Sequence, residues 1–131
     1  MATVVSGGRA HPPKRQRLSR SAEFDRVFRD GRSYANRYLV LHEFVRSDAA
    51  STDGSRLGLS VGRKVGGAVA RNRIKRLLRE AFWSVAVDLP PGRDYILVAR
   101  PDARELAERG EHAFEEALSE LLGKAGLVAV A

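Results

Sequence analysis

The segment from Arg71 to Val85 constrains the fold most, because its apolar and basic side chains separate onto two sides of a helix. Each helical residue is rotated by about 100° from the last, so positions three and four apart share a face. The apolar face consists of Ile74, Leu77, Leu78, Ala81, Phe82 and Val85. Such a face must be covered by another layer, so we expect a helix from Val69 to about Val87 that packs against the rest of the domain.

A strand is predicted directly before this helix. In residues 57–62, leucine and valine alternate with glycine and serine, which is the two-residue period of a strand with one apolar face. The opposite face carries small residues, and we expect it to leave room for another group to approach. Gly66 and Gly67 then permit a tight entry into the helix.

Two further elements are predicted in the first third of the chain. A short helix extends to about Asp30, with Ser19 or Ser21 as its cap and Gly31 as its stop. Residues 33–46 are rich in tyrosine, leucine, valine and phenylalanine, a composition that favours extended structure.

The pattern after these elements completes the fold prediction. We expect an interruption of the extended stretch near Asn36, a loop over residues 47–55, a strand over 95–99 and a long packing helix over 102–124. The order helix, strands, helix, strand, helix indicates a two-layer α+β domain.

The length of 131 residues suits one domain. We divide the chain into a flexible basic arm (1–17), one domain (18–125) and a short tail (126–131). The sequence has no cysteine, which excludes disulfides, thiolate metal sites and cysteine nucleophiles. It also has no apolar run long enough to span a membrane, and a reducing, cytoplasmic setting is expected.

The formal net charge of +7 is concentrated in two segments. Residues 9–20 carry a net charge of +5 and residues 63–80 carry +6, whereas residues 101–131 carry −4. A domain with this polarity presents one side to a polyanion, which favours nucleic-acid binding over general solubility.

The basic face of the helix is the main candidate site. Its candidate RNA-binding residues, with those just before the helix, are Arg63, Lys64, Arg71, Asn72, Arg73, Lys75, Arg76 and Arg79. Only Glu80 interrupts the basic run, and an ordinary solvated face would interleave acids to reduce repulsion. Phosphate is the natural counter-charge, because the planar guanidinium of arginine can bind two phosphate oxygens at once.

Other chemistries find little support in the sequence. The glycines of residues 62–67 lack the spacing and the Lys-Ser/Thr ending of a phosphate-binding loop. No metal-ligand spacing or catalytic triad is present, so we predict neither catalytic residues nor a metal site. A stand-alone metal nuclease would need clustered acids, and a helix-turn-helix protein would need a helix where the strand at 57–62 is predicted. On residue type alone, Phe24, Phe28 and His42 are assigned to the core.

Residues 66–80, with the sequence G-G-A-V-A-R-N-R-I-K-R-L-L-R-E, resemble the signature of the bacterial ribonuclease P protein family. Residues 17–31, 35–37, 56–61 and 94–100 also resemble segments of that family, in the family order. The resemblance implies a fold similar to the second domain of ribosomal protein S-five, with a mixed four-stranded sheet and a left-handed crossover that carries the basic helix.

The same resemblance implies a function in two parts. The basic helix would face the catalytic RNA subunit of ribonuclease P, and a cleft between the first helix and the sheet would hold the 5′ leader of precursor tRNA. The implied leader-cleft residues are Phe24, Phe28, His42 and Ser60, and His42 stands where a tyrosine or phenylalanine is more familiar. The protein would belong to an endoribonuclease whose catalytic centre and magnesium ions lie mainly in RNA; the alternative is a structural RNA-binding protein such as a ribosomal component.

Overall fold

The structure, a computed structural model, describes residues 17–46, 54–86 and 89–127. The helices are α1 (Ser21–Asp30), α2 (Ala68–Val85), α3 (Ala103–Arg109) and α4 (Glu111–Lys124). The strands are β1 (Arg32–Ala35), β2 (Leu39–Val45), β3 (Arg56–Val61) and β4 (Arg93–Ala99). The predicted flexible arm, except for Arg17, lies outside the described residues, as do most of the loop predicted at 47–55 and most of the tail.

The four strands form one mixed sheet in the order β1-β2-β4-β3. β2 is antiparallel to both β1 and β4, while β3 and β4 are parallel. Because parallel neighbours need a crossover connection, α2 carries the chain from β3 back to the start of β4. The predicted α+β class with a mixed four-stranded sheet is confirmed, and the left-handed crossover stays a prediction.

The main core lies between one face of the sheet and helices α2, α3 and α4. Its largest fully buried side chains are Tyr95, Phe82, Phe114, Leu39, Leu41, Ile74, Leu78, Leu97, Leu106, Leu118 and Leu121. The alternation along β2 and β4 sends every second residue to this face. The apolar stripe predicted for the last part of the chain is therefore a packing surface.

The opposite face of the sheet carries α1 and a much smaller cluster. Leu18, Val27 and Ile96 are buried there, with Phe24 and Phe44 partly buried against them. Since this cluster is separate from the main core, α1 is attached to the sheet by few apolar contacts.

The prediction of one long helix over residues 102–124 was wrong. Gly110 has a φ of +103° and separates α3 from α4. Residues that have a Cβ atom are strained in that conformation, whereas glycine adopts it freely. The break lets both helices bury their apolar residues in the main core, and Ala113 and Phe114 lie in the first turn after it.

Of the two predicted ends of α1, the serine cap was wrong and the stop at Gly31 is confirmed. Arg20 is the N-cap, and its backbone N–H donates to the Glu23 carboxylate at 3.4 Å, so neither serine caps the helix. Gly31 ends the helix with extended backbone, not in the left-handed region. Its role is spatial, because a Cβ atom there would lie 2.5 Å from the carbonyl oxygens of Val27 and Glu43.

Candidate RNA interface

Helix α2 has the two faces that its sequence predicts. Ile74, Leu77, Leu78, Ala81 and Phe82 are buried in the main core, and Val85 is half-buried at the end of the helix. This burial fixes the rotation of the helix, so the basic side chains must point away from the sheet.

The predicted RNA-binding side chains gather on the outer side of α2 and on the turn before it. Asn72, Arg73 and Arg76 are exposed on the helix, and Arg63 and Lys64 are exposed on the turn. Arg71, Lys75 and Arg79 are half-buried, as expected at the margin of the apolar face. The eight residues therefore form one continuous surface, which we call the basic surface.

No side chain of the basic surface makes an ion pair or hydrogen bond with another of the described residues. Six arginines elsewhere contrast with this, because each pairs with a carboxylate: Arg26, Arg29, Arg37, Arg46, Arg56 and Arg93. Cations held together without acids repel each other unless a ligand supplies the counter-charge. The arrangement suits a polyanion.

Arg17 adds a further cation that the sequence predictions assigned only to the arm. It forms a parallel bridge with Leu57, and the Leu18 N–H donates to the Leu57 carbonyl oxygen at 2.9 Å. Burial lowers the pKa of Arg79, and the nearby charge of Arg17 lowers it further. Pairing with the edge of β3 thus brings Arg17 close to the basic surface. Nothing in the sequence pattern predicts this proximity.

The face of the sheet that carries α1 is built from three cross-strand rows. The first row is Phe44, Asp94 and Arg56; the second is His42, Ile96 and Gly58; the third is Val40, Val98 and Ser60. Adjacent rows are two residues apart along each strand, or about 7 Å. All three residues of the third row are half-buried, which leaves part of the sheet surface beside α1 open.

The two phenylalanines of α1 contact the second row. The rings of Phe24 and Phe28 are 6.2 Å apart, and Phe28 meets the ring of His42 edge-on at 4.8 Å. Phe28 is 43% exposed although it is a large apolar side chain. Three of the four predicted leader-cleft residues are therefore in one cluster, and Ser60 lies one row away.

Phe24 occupies the space that the small face of β3 was expected to leave for an approaching group. A Cβ atom at Gly58 would lie 2.5 Å from the Phe24 ring, so the glycine accommodates this side chain. At position 58 the expected room is confirmed, and the group that approaches is Phe24 itself. Phe28, His42 and Ser60 are the residues with surface left for a ligand.

His42 is partly desolvated in this cluster. Burial lowers the pKa of its imidazole from the ordinary value of 6.5. At neutral pH the ring is therefore uncharged and can stack on a base or exchange hydrogen bonds through its two nitrogens.

A charged network, which sequence reasoning missed, lies at the first row. Asp94 is fully buried and accepts hydrogen bonds from Arg26, Arg46 and Arg56. Arg56 also donates to Glu23 of α1 at 2.8 Å. The hydrogen-bonded partners are 33 to 68 residues apart in the chain, so only the folded sheet reveals the network.

Residues 17–46, 54–86 and 89–127 contain no group of three histidine, aspartate or glutamate side chains arranged to hold a metal ion. In the same ranges no helix has the length and apolarity that a membrane crossing requires.

The sequence model described as Ribonuclease P matches residues 13–126 of the chain. The chain belongs to the ribonuclease P protein family. The match covers every helix and strand of this family member, from α1 to α4.

Individual relatives agree with this assignment. The ribonuclease P protein component of Bacillus pumilus is 47% identical over 93 residues, which cover 71% of this chain and 76% of the relative. That of Oceanobacillus iheyensis is 41% identical over 115 residues, or 88% of this chain and 90% of the relative.

Solved structures of ribonuclease P proteins have the same fold. The Staphylococcus aureus protein has a TM-score of 0.74 and 32% identity, covering 87% of this chain and 98% of its own. The Thermotoga maritima protein has a TM-score of 0.70 and 34% identity, covering 82% of this chain and 96% of its own. This chain therefore shares the α+β fold over nearly the whole length of both solved proteins.

Proposed function

We propose that this chain serves as the protein component of bacterial ribonuclease P in the 5′ processing of tRNA, binding the RNA subunit through the basic surface. The observation that carries this proposal is the pairing contrast: six arginines outside α2 pair with carboxylates, whereas no cation of α2 forms an ion pair with another of the described residues. Family membership identifies the expected polyanion as RNA and does not favour the alternative of a ribosomal component.

The cleft beside α1 is proposed to bind the single-stranded 5′ leader of precursor tRNA. The half-exposed Phe28, the neutral ring of His42 and the open third row offer a stacking surface with polar groups at its edge. Aromatic side chains bind single strands by stacking, at about 1–3 kcal/mol per base.

Hydrolysis is proposed to take place in the RNA partner, with magnesium held mainly by RNA oxygens. Magnesium prefers oxygen ligands, chiefly carboxylates in proteins. The acids beside α1 do not fit that role, because Asp94 is enclosed by arginines and Glu23 is held by Arg56. In this proposal the protein binds and orients RNA and contributes no group to the reacting atoms.

The test is a cleavage assay with precursor tRNA in magnesium, run with the protein alone, the RNA subunit alone and both together. We expect no cleavage by the protein alone and stronger substrate binding when both are present. Mature tRNA, which lacks the leader, serves as the matched ligand. The proposed function fails if the protein does not change how the RNA subunit distinguishes precursor from mature tRNA.

A further inference from the structure

The attachment of α1 to the sheet depends on charged side chains as much as on apolar contacts. Val27 is the one buried residue among the ten of this helix, and the cluster around it is small. On the opposite side from the phenylalanines, Glu23 contacts Arg56 at 2.8 Å and Arg26 contacts Asp94 at 3.4 Å. The guanidinium of Arg26 also lies 5.0 Å from the centre of the Phe44 ring.

These contacts all reach the first row, whereas Phe24 and Phe28 reach the second. The network of Glu23, Arg26, Arg56 and Asp94, which we call the first-row network, therefore holds one side of α1 while the other side borders the cleft. Asp94 is 0% exposed and cannot shift without breaking its hydrogen bonds to three arginines, so it is a rigid anchor. A change at the first row would tilt α1 and move Phe28 relative to His42 and the third row.

We infer that Glu23, Arg26 and Arg56, anchored by the buried Asp94, are positioning residues that set the geometry of the leader cleft without contacting the leader. The inference rests on the proposed function, since it gives these side chains a role in leader binding. It separates the molecule into two parts: the first-row network governs recognition of the leader, and the basic surface governs affinity for the RNA subunit.

The experiment uses two variants that change charge and keep hydrogen-bonding groups, Glu23→Gln and Arg26→Gln, and their double variant. Matched controls on the same helix are Asp25→Asn and Arg29→Gln. Asp25 is exposed, and Arg29 pairs only with the neighbouring Asp30. Each control makes the same charge change without touching the sheet.

Two affinities are measured with the assembled complex of protein and RNA subunit: that for precursor tRNA and that for mature tRNA. The third is the affinity of the protein for the RNA subunit. We expect the double variant to lower the ratio of precursor to mature affinity about fivefold, a loss on the scale of one stacked base. Affinity for the RNA subunit and for mature tRNA should stay within twofold of the unchanged protein. The controls should leave all three quantities unchanged.

A further variant, Phe28→Ala, distinguishes positioning from direct contact. If Arg26 acts by placing Phe28, then Arg26→Gln has little additional effect once the ring is gone. If Arg26 binds a leader phosphate itself, its effect persists in the Phe28→Ala background and the salt dependence of leader binding falls; that outcome overturns the inference. Circular dichroism and thermal unfolding of every variant show whether the fold is retained, and Arg26→Lys, which keeps the charge, should restore part of the ratio.

The two proposals fail in different ways. If the unchanged complex does not prefer precursor over mature tRNA, the proposed function is wrong. If the unchanged complex has that preference and the folded double variant retains it in full, the first-row network is purely structural and the inference is wrong.

Discussion

The ring of Phe24 lies directly on the backbone of Gly58, where a Cβ atom would be only 2.5 Å from its Cζ. The second row of the sheet can therefore carry α1 at its observed distance only because position 58 has no side chain. This contact links the smallest residue of β3 to the cleft aromatics of α1.

Gly58→Ala should consequently destabilise the protein and displace α1. Overpacking of a well-packed site costs about 1–3 kcal/mol, and the loss should appear in chemical denaturation. The matched control is Gly62→Ala just after β3, where nothing lies within 4 Å of a new Cβ atom and the backbone is outside the left-handed region. The control should be neutral or should stabilise by up to about 1 kcal/mol, through the lower entropy of the unfolded chain. Equal stabilities of the two variants would contradict the Phe24–Gly58 contact.

Arg76→Ala and Arg79→Ala should each weaken binding to the RNA subunit and reduce its salt dependence. Each side chain is expected to contribute about one phosphate contact, so the slope of log affinity against log salt should become shallower by about one. Binding is measured across a salt series by filter retention or fluorescence anisotropy. Arg104→Ala, an exposed arginine in the acidic last third of the chain, should leave the slope unchanged. An unchanged slope for Arg76→Ala would remove that residue from the interface.

Asp94→Asn should be strongly destabilising. The buried carboxylate pairs with three arginines, and a neutral amide removes the negative charge that faces them. Breaking a buried ion pair from one side costs about 3–5 kcal/mol, which urea unfolding can measure. Asp30→Asn, at an exposed carboxylate that pairs only with Arg29, is expected to cost little. A loss below about 1 kcal/mol for Asp94→Asn would mean that the arginines find other partners.

Because of His42, the free energy of unfolding should be lower in mild acid than at neutral pH. Its pKa is lowered by burial in the folded protein, so the unfolded chain binds the proton first as pH falls through 6.5. Stability attributable to this side chain is complete above that pH and declines below it. His42→Phe should remove this part of the pH dependence, seen as a smaller loss of unfolding free energy between about pH 7 and 5.

The sequence predicts well those features that depend on neighbours along the chain. The two faces of α2 follow from the 3.6-residue period, and the alternation of β3 follows from the two-residue period. The turn at Asn36 was also predictable, and its side chain accepts the N–H groups of Tyr38 and Leu39 at 2.9 Å. In these cases the local pattern and the tertiary contacts favour the same structure.

The features that were missed depend on residues far apart in sequence or on one backbone angle. Gly110 interrupts an apolar stripe that continues on both sides, so periodicity alone favours one helix. Asp94 stands beside Arg93 at the start of an apolar strand, and nothing nearby in the chain shows that its partners are Arg26, Arg46 and Arg56. Likewise, the small face of β3 indicated available space but could not show that Phe24 fills it.

The separation of the two apolar clusters has a consequence for motion. Amide groups of α1 are protected by the small cluster of Leu18, Val27 and Ile96, whereas β4 is also buried by α2 and α4. Regions with few buried contacts open at a lower free-energy cost than the whole fold. Hydrogen exchange in α1 should therefore proceed through a partial opening in which the sheet and the basic helix remain folded. Such a partly open state would remain bound to the RNA subunit through the basic surface while the proposed leader cleft is lost.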